Sequence, residues 1–298
     1  MQHRRSDEGP PIADQGLAPN DGPPAKTGTD DRMNPQAVPD EFMSIAKTAA
    51  RVLLPDSIFQ KLKAVRSRQA QLRGYRRLGL LEAAARYVER NGCIVRHGPF
   101  AGLQFPRVTA LNRHSIPLLM GTCEMELWPV LEQVARRNYD VVLNIGSGEG
   151  YYAVGLARLL NTRVLAYDPE PREQEFCRAA AQLSGVAALV DQRNLFLRAD
   201  IEEFREMRVL CVSDCEGFEA ELFTPETVRG LRRWDLIIEL HGEADRKLRA
   251  LNWPQKVTAI DSTPRLETYP ELDGLGDPKL LLSELRGGRQ TWLWCDSQ

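Results

Sequence analysis

Val141-Val142-Leu143-Asn144-Ile145-Gly146-Ser147-Gly148-Glu149-Gly150-Tyr151-Tyr152 decides how the rest of this 298-residue chain is read. The first five residues are apolar except Asn144, and the run is too short for a helix, so it reads as a buried strand. Three glycines follow, and then the amphipathic run Tyr151–Leu160. Glycine is needed where a chain turns sharply or where a ligand must approach the backbone closely. Such a ligand lies at the carboxyl end of the strand, beside a helix N-terminus. Asn144, Gly146, Ser147, Gly148, Glu149, Gly150 and Tyr151 are therefore candidate cofactor contacts. A dinucleotide fingerprint wants G-x-G-x-x-G, but here the glycines are 146, 148 and 150, and Tyr151 holds the sixth place. Glu149 would repel a pyrophosphate. It suits a ligand carrying an ammonium and a sulfonium, as S-adenosyl-L-methionine does. A lone triplet is also compatible with a plain tight turn, and the spacing leaves a nicotinamide dehydrogenase as the disfavoured rival.

Moving outward, the next strand-like run, Arg163–Tyr167, ends in Asp168-Pro169. That places an acid about 20 residues past the glycines, where it can accept both ribose hydroxyls. Asp168 can equally cap the helix that follows, Arg172–Leu183. Further on, Asp200 can bond an adenine amino group with Ile201 against the ring, or it can N-cap the next helix.

The alternation then continues, with strands expected at Leu195–Arg198, Val209–Ser213 and Leu236–Leu240 and a helix at Pro225–Leu231. Strands alternating with helices mean parallel βαβ units in a doubly wound sheet. The end differs: Val257–Asp261, a helix near Asp277–Leu285, and Thr291–Cys295 can place the last strand antiparallel to the others. Three domains are expected. Residues 1–40 are rich in Pro, Gly, Asp and Gln without periodicity and read as a disordered tail. Residues 41–138 read as a helical extension with a small hairpin region near Cys93–Val108. Residues 139–298 read as the cofactor domain. Within the extension, helices are expected from Asp56, over Leu80–Glu89 and over Glu124–Arg137. Lys61–Arg77 is basic with no acid, so it is either a solvated helix face or a weak peripheral contact with anionic lipid.

Bulk properties exclude some classes. Apolar residues make up 43% of the chain and the formal net charge is −2, so no global basic excess points to nucleic acid. No run approaches the roughly 20 apolar residues that span a bilayer. The N-terminus carries no apolar segment after its charges, so a secretory signal is not expected and the cytoplasm is. The six cysteines form no CxxC, and no set of residues is assigned to a metal.

The runs NIGSGEGYYAVGLA, AYDPEP, SDCEGFEAELF and IIELHGE, with LLMGTCEMEL upstream, resemble the FkbM-like methyltransferases in order and spacing over Leu118 to Glu243. The resemblance implies a Rossmann-like class I methyltransferase fold with an antiparallel last strand. It also implies methyl transfer from S-adenosyl-L-methionine to a hydroxyl on a sugar, glycan or secondary metabolite, and a place for Glu124 in the cofactor pocket. Two positions depart from the pattern: Asn144 stands where many members have Asp, and Asp168 where many have Glu. Asn144 is also what keeps a catalytically inactive cofactor-binding or scaffold protein in play.

A hydroxyl acceptor must lose its proton. His241, after the fifth strand, titrates near neutrality and is the first candidate base. Asp214, after the fourth, is the second. His241 can also be a strand-end residue bonded to backbone, and Glu219 a cap or a solvent-facing acid. Tyr151 and Tyr152 can turn a ring to a sulfonium or simply pack at the helix start. The acceptor itself and the oligomeric state are not legible.

Overall fold

The computed structural model of the chain describes residues 73–107, 115–285 and 288–298. The expected tail (1–40), the helix from Asp56 and most of the basic stretch Lys61–Arg77 lie outside the described residues. Of that stretch Arg73, Arg76 and Arg77 are described, and all three are exposed. The described residues belong to one compact unit, 63–298.

The element order is α1 (Leu80–Asn91), α2 (Ser115–Met120), α3 (Trp128–Val134), β1 (Val141–Ile145), α4 (Tyr151–Leu160), β2 (Val164–Tyr167), α5 (Pro171–Leu183), β3 (Val190–Arg193), α6 (Ile201–Phe204), β4 (Val209–Ser213), α7 (Glu219–Leu222), α8 (Pro225–Val228), β5 (Trp234–Glu239), α9 (Gly242–Arg249), β6 (Lys256–Asp261), α10 (Pro278–Leu281) and β7 (Thr291–Asp296). The strands form one sheet in the order β3-β2-β1-β4-β5-β7-β6. Strands β1 to β5 pair in parallel, and β7 runs antiparallel between β5 and β6.

Alternation along each strand divides the sheet into two buried faces. Val142, Ala166, Val212, Ile237 and Trp292 face helices α1 to α5. Leu143, Leu165, Cys211 and Ile238 face helices α6 to α9. Burial on both sides explains why β1, β4 and β5 read as near-continuous apolar runs. Residues on both sides of Tyr139 share the first of these cores: Tyr87, Leu119 and Val134 pack with Val142, Ala153 and Leu156.

Three expected elements differ. The third strand is Val190–Arg193, not Leu195–Arg198. Leu195 and Leu197 are half-exposed in the loop that follows, while Phe196 alone turns inward. The helix expected over Glu124–Arg137 is a 3₁₀ turn, Met125–Leu127, followed by α3. Pro129 in the first turn of α3 offers no N–H to an earlier carbonyl, so the chain restarts there. The helix near Asp277–Leu285 is a single turn ending at Leu281. In the expected hairpin, one antiparallel bridge joins Ile94 to Gln104. Among the described residues no helix is long and apolar enough to cross a membrane, and the cysteines described are all free thiols.

Candidate active site

The glycine loop leaves β1 and folds back on its neighbours. The N–H groups of Gly146 and Ser147 both donate to the carbonyl of Tyr167, each at 2.9 Å, which ties the loop to the end of β2. Gly146 has φ 80°, and a Cβ there would stand 1.8 Å from the Asp214 carbonyl oxygen. Only glycine lets β1 and β4 close at this level. Gly150 acts on the other side of the loop. A Cβ there would meet the Cys177 sulfur at 2.6 Å, so this glycine seats α4 against α5. Over Gly148 there is open space. Glu149 is half-buried, and Ser147 is buried with a hydroxyl that finds no protein partner. Asn144 is 1% exposed; its amide donates weakly to the Val212 carbonyl at 3.4 Å, and its Oδ1 is unpaired.

Asp168 is buried and aimed at the main chain. One carboxylate oxygen accepts from Gly148 N–H and the other from Glu170 N–H, each at 2.9 Å. It therefore braces the glycine loop and caps the approach to α5. Its neighbours Pro169 and Glu170 are exposed. Asp200 accepts the Leu197 N–H at 2.7 Å and so closes its own turn. Ile201 is 1% exposed and packs in the core with Phe196 and Phe204. The adenine contact expected of Ile201 has no surface in this structure.

Beside the loop, at the ends of β4 and β5, acids converge. Asp214 lies one residue past β4, next to Glu239 at the end of β5, and Glu239 pairs in register with Trp292 of β7. Carboxylate oxygens of Glu124, Asp214 and Glu239 lie within 4.8 Å of one another, with Glu124 and Glu239 buried. Glu124 comes from the 3₁₀ turn before α3 and has φ 50°. It is held from two sides: Tyr152 donates its hydroxyl to the Glu124 carboxylate, and Glu284, itself paired with Arg265, accepts the Glu124 N–H at 3.0 Å. Arg265 is buried and also contacts Glu126 at 2.8 Å and the Thr122 carbonyl at 2.9 Å. Tyr151 and Tyr152 pack edge-on against Phe100 at 5.2 and 5.8 Å. Burial pushes both phenols well above their ordinary value. Tyr152 is thus committed to Glu124, a role its sequence position did not show.

His241 borders this nest. Its Nε2 is 3.5 Å from Asp214 Oδ1 and 3.6 Å from Glu239 Oε2. Its Nδ1 is 3.3 Å from Glu219 Oε1, close enough for charge pairing but not in well-aligned hydrogen-bond geometry. The Glu219 contact raises the imidazole above its ordinary value against the opposing effect of burial, and Asp214 adds to the rise. The structure thus brings His241, Asp214 and Glu124 together and adds Glu219 and Glu239. Asp168 and Gly148 meet at the loop, and Asp200 serves its own turn further along the chain.

A doubly wound sheet with a reversed seventh strand and a glycine turn after β1 defines the Rossmann-like arrangement of class I methyltransferases. No protein-family model matches the sequence, and no curated protein matches it either. Solved structures do. The methyltransferase domain of METTL16 is similar at a TM-score of 0.42 and 13% identity, over 66% of this chain and 73% of that one. The O-methyltransferase TomG from Streptomyces achromogenes, solved in complex with S-adenosylmethionine, is similar at 0.38 and 14%, over 73% and 89%. The precorrin 8w decarboxylase of Methanobacterium thermoautotrophicum is similar at 0.39 and 17%, over 57% and 89%. All three likenesses are distant, and the topology stands on its own strand order.

Proposed function

We propose that this chain is an S-adenosyl-L-methionine-dependent methyltransferase of the FkbM type, acting on a hydroxyl of a sugar, glycan or secondary metabolite. The observation that carries the reading is the meeting of a glycine loop with a nest of carboxylates, Glu124, Asp214 and Glu239, and with His241 at its edge. Three acids in one small space suit a cationic ligand, and this cofactor has an ammonium and a sulfonium. The donor set fits in other ways: Gly148 has open space above it, and the Ser147 hydroxyl is buried and unpaired.

When bound, S-adenosyl-L-methionine supplies a methyl group on positive sulfur, a leaving group that needs no acid. The residues of the chain then act in three ways. The loop Gly146–Gly150 and Asp168 hold the backbone open for the nucleoside. Glu124, Asp214 and Glu239 orient the positive end. His241 would take the acceptor's proton at Nε2 as that methyl group is transferred. Alignment and proton removal are the two largest contributions open to such a site, the latter worth about 10²- to 10⁴-fold.

Residues 139–298, together with Glu124 of the extension, carry the cofactor in this reading, and the rest of the extension walls the acceptor side. A small molecule or glycan is the partner; nucleic acid is not. The cytoplasm is the proposed location. Calorimetric titration with S-adenosylmethionine, S-adenosylhomocysteine and NAD tests the reading. Saturable binding of the two sulfur nucleosides and none of NAD is expected. A folded protein that binds neither sulfur nucleoside ends the proposal.

A further inference from the structure

Glu219 is the most enclosed of the acids around His241, at 0% exposure. An ionised carboxylate in such a place is costly unless hydrogen bonds replace water. Here the backbone supplies them. Cys215 N–H donates to Oε1 at 2.7 Å and Gly217 N–H to Oε2 at 2.8 Å. The turn that presents them has two successive residues with positive φ, Glu216 at 57° and Gly217 at 104°. Glu219 is therefore fixed by the main chain on both oxygens, and its Oε1 lies 3.3 Å from His241 Nδ1. The other charged groups facing the ring are Asp214 and Glu239, both on the Nε2 side, with Glu216 contributing from the turn and Glu124 lying beyond Asp214 and Glu239. Asp214 is 34% exposed in its side chain and Glu216 is exposed, so of these acids they are the two that water screens.

We infer that Glu219 is the positioning residue for His241, holding Nδ1–H toward itself so that Nε2, on the side of Asp214 and Glu239, is the proton acceptor. This rests on the methyl-transfer reading for what the acceptor is used for, though not for the pairing itself. The partner of one ring nitrogen selects which nitrogen carries the proton in the neutral form. In the reaction the acceptor's O–H bond breaks, its proton joins Nε2, and the ring becomes a cation that the ionised Glu219 stabilises. The proton later leaves Nε2 for water. Burial alone would push the Glu219 carboxyl up, but His241 and the backbone N–H groups of Cys215 and of Glu219 itself outweigh it and hold it below the ordinary range. The 3.3 Å contact is loose for a hydrogen bond, as such contacts often are before substrate tightens them.

The test is imidazole NMR on the full chain without any acceptor. The chain has four histidines, and H241Q assigns the signal. In the wild type the neutral ring is expected as the Nδ1–H tautomer. Glu219→Gln is expected to lower the His241 titration midpoint by about one pH unit or more, and Glu219→Asp to restore part of it. A neutral ring protonated on Nε2 in the wild type, or a midpoint unmoved by Glu219→Gln, overturns the proposal. If the glutamine variant does not fold, the wild-type tautomer and Glu219→Asp still decide. Calorimetry with S-adenosylhomocysteine separates the two readings. A wild type that fails to bind sinks the methyltransferase while the NMR result stands, and an NMR failure with intact binding sinks only Glu219.

Discussion

The α-carbon of Gly146 and the carbonyl oxygen of Asp214 are so placed that a methyl group on the first would lie 1.8 Å from the second. The contact is main chain against glycine, so no side chain can rotate away. Gly146→Ala is expected to cost about 3 kcal/mol in denaturant unfolding and to abolish nucleoside binding. Gly148→Ala meets no atom and bears only the strain of φ 48°, about 1–3 kcal/mol. A Gly146 variant as stable as the wild type would show that β1 and β4 are further apart than described.

Asp168→Ala removes the acceptor of two backbone N–H groups at once. Each hydrogen bond to the ionised carboxylate is worth about 1.5–3 kcal/mol. Melting temperature and nucleoside affinity should therefore fall together. Glu170→Ala, two residues on and exposed, should leave stability within about 0.5 kcal/mol. Loss of affinity in Asp168→Ala without loss of stability would mean that its carboxylate serves the ligand and not the loop.

Arg265→Ala strips the cation from Glu126 and Glu284, whose side chains are 5% and 12% exposed. Breaking a buried pair in this way costs about 3–5 kcal/mol. Because Glu284 also accepts the Glu124 N–H, affinity for a cationic ligand should drop as well. Thermal melts and calorimetry on one preparation check both.

Pairing of His241 with Glu219 links stability to pH. The raised imidazole value makes its contribution complete below about pH 6.5, the unfolded value, and lost as pH rises through the folded value. The depressed Glu219 carboxyl works in the opposite sense, contributing above its unfolded value and losing that contribution as pH falls through the folded one. The advantage of wild type over His241→Gln should therefore be larger at pH 6 than at pH 9 in urea melts. An advantage that grows with pH would contradict the pairing.

The central strands were legible because burial on both faces demands apolar runs, as in Val141–Ile145 and Val209–Ser213. β3 was not, because Val190-Asp191-Gln192-Arg193 is half-buried at the sheet edge and carries three polar residues. The apolar residues Leu195 and Leu197 nearby attracted the expectation instead, and they face solvent. At the site, Gly146, His241 and Asp214 announced themselves by strand-end position. Glu219 and Tyr152 did not, because what gives each its role is a partner far along the chain: His241 for one, Glu124 for the other. Spacing reports neighbours on one helix or strand, not contacts made by the folding of separate strands into one sheet.

The clasp of Arg265 and Glu284 on Thr122 and Glu124 joins positions 143 and 160 residues apart. During synthesis the glycine loop emerges well before either clasping residue, and β7, which seats Trp292 beside Glu239, emerges last. A chain cut before Arg265 thus keeps the glycine loop and lacks the two residues that hold the main chain at Thr122 and Glu124.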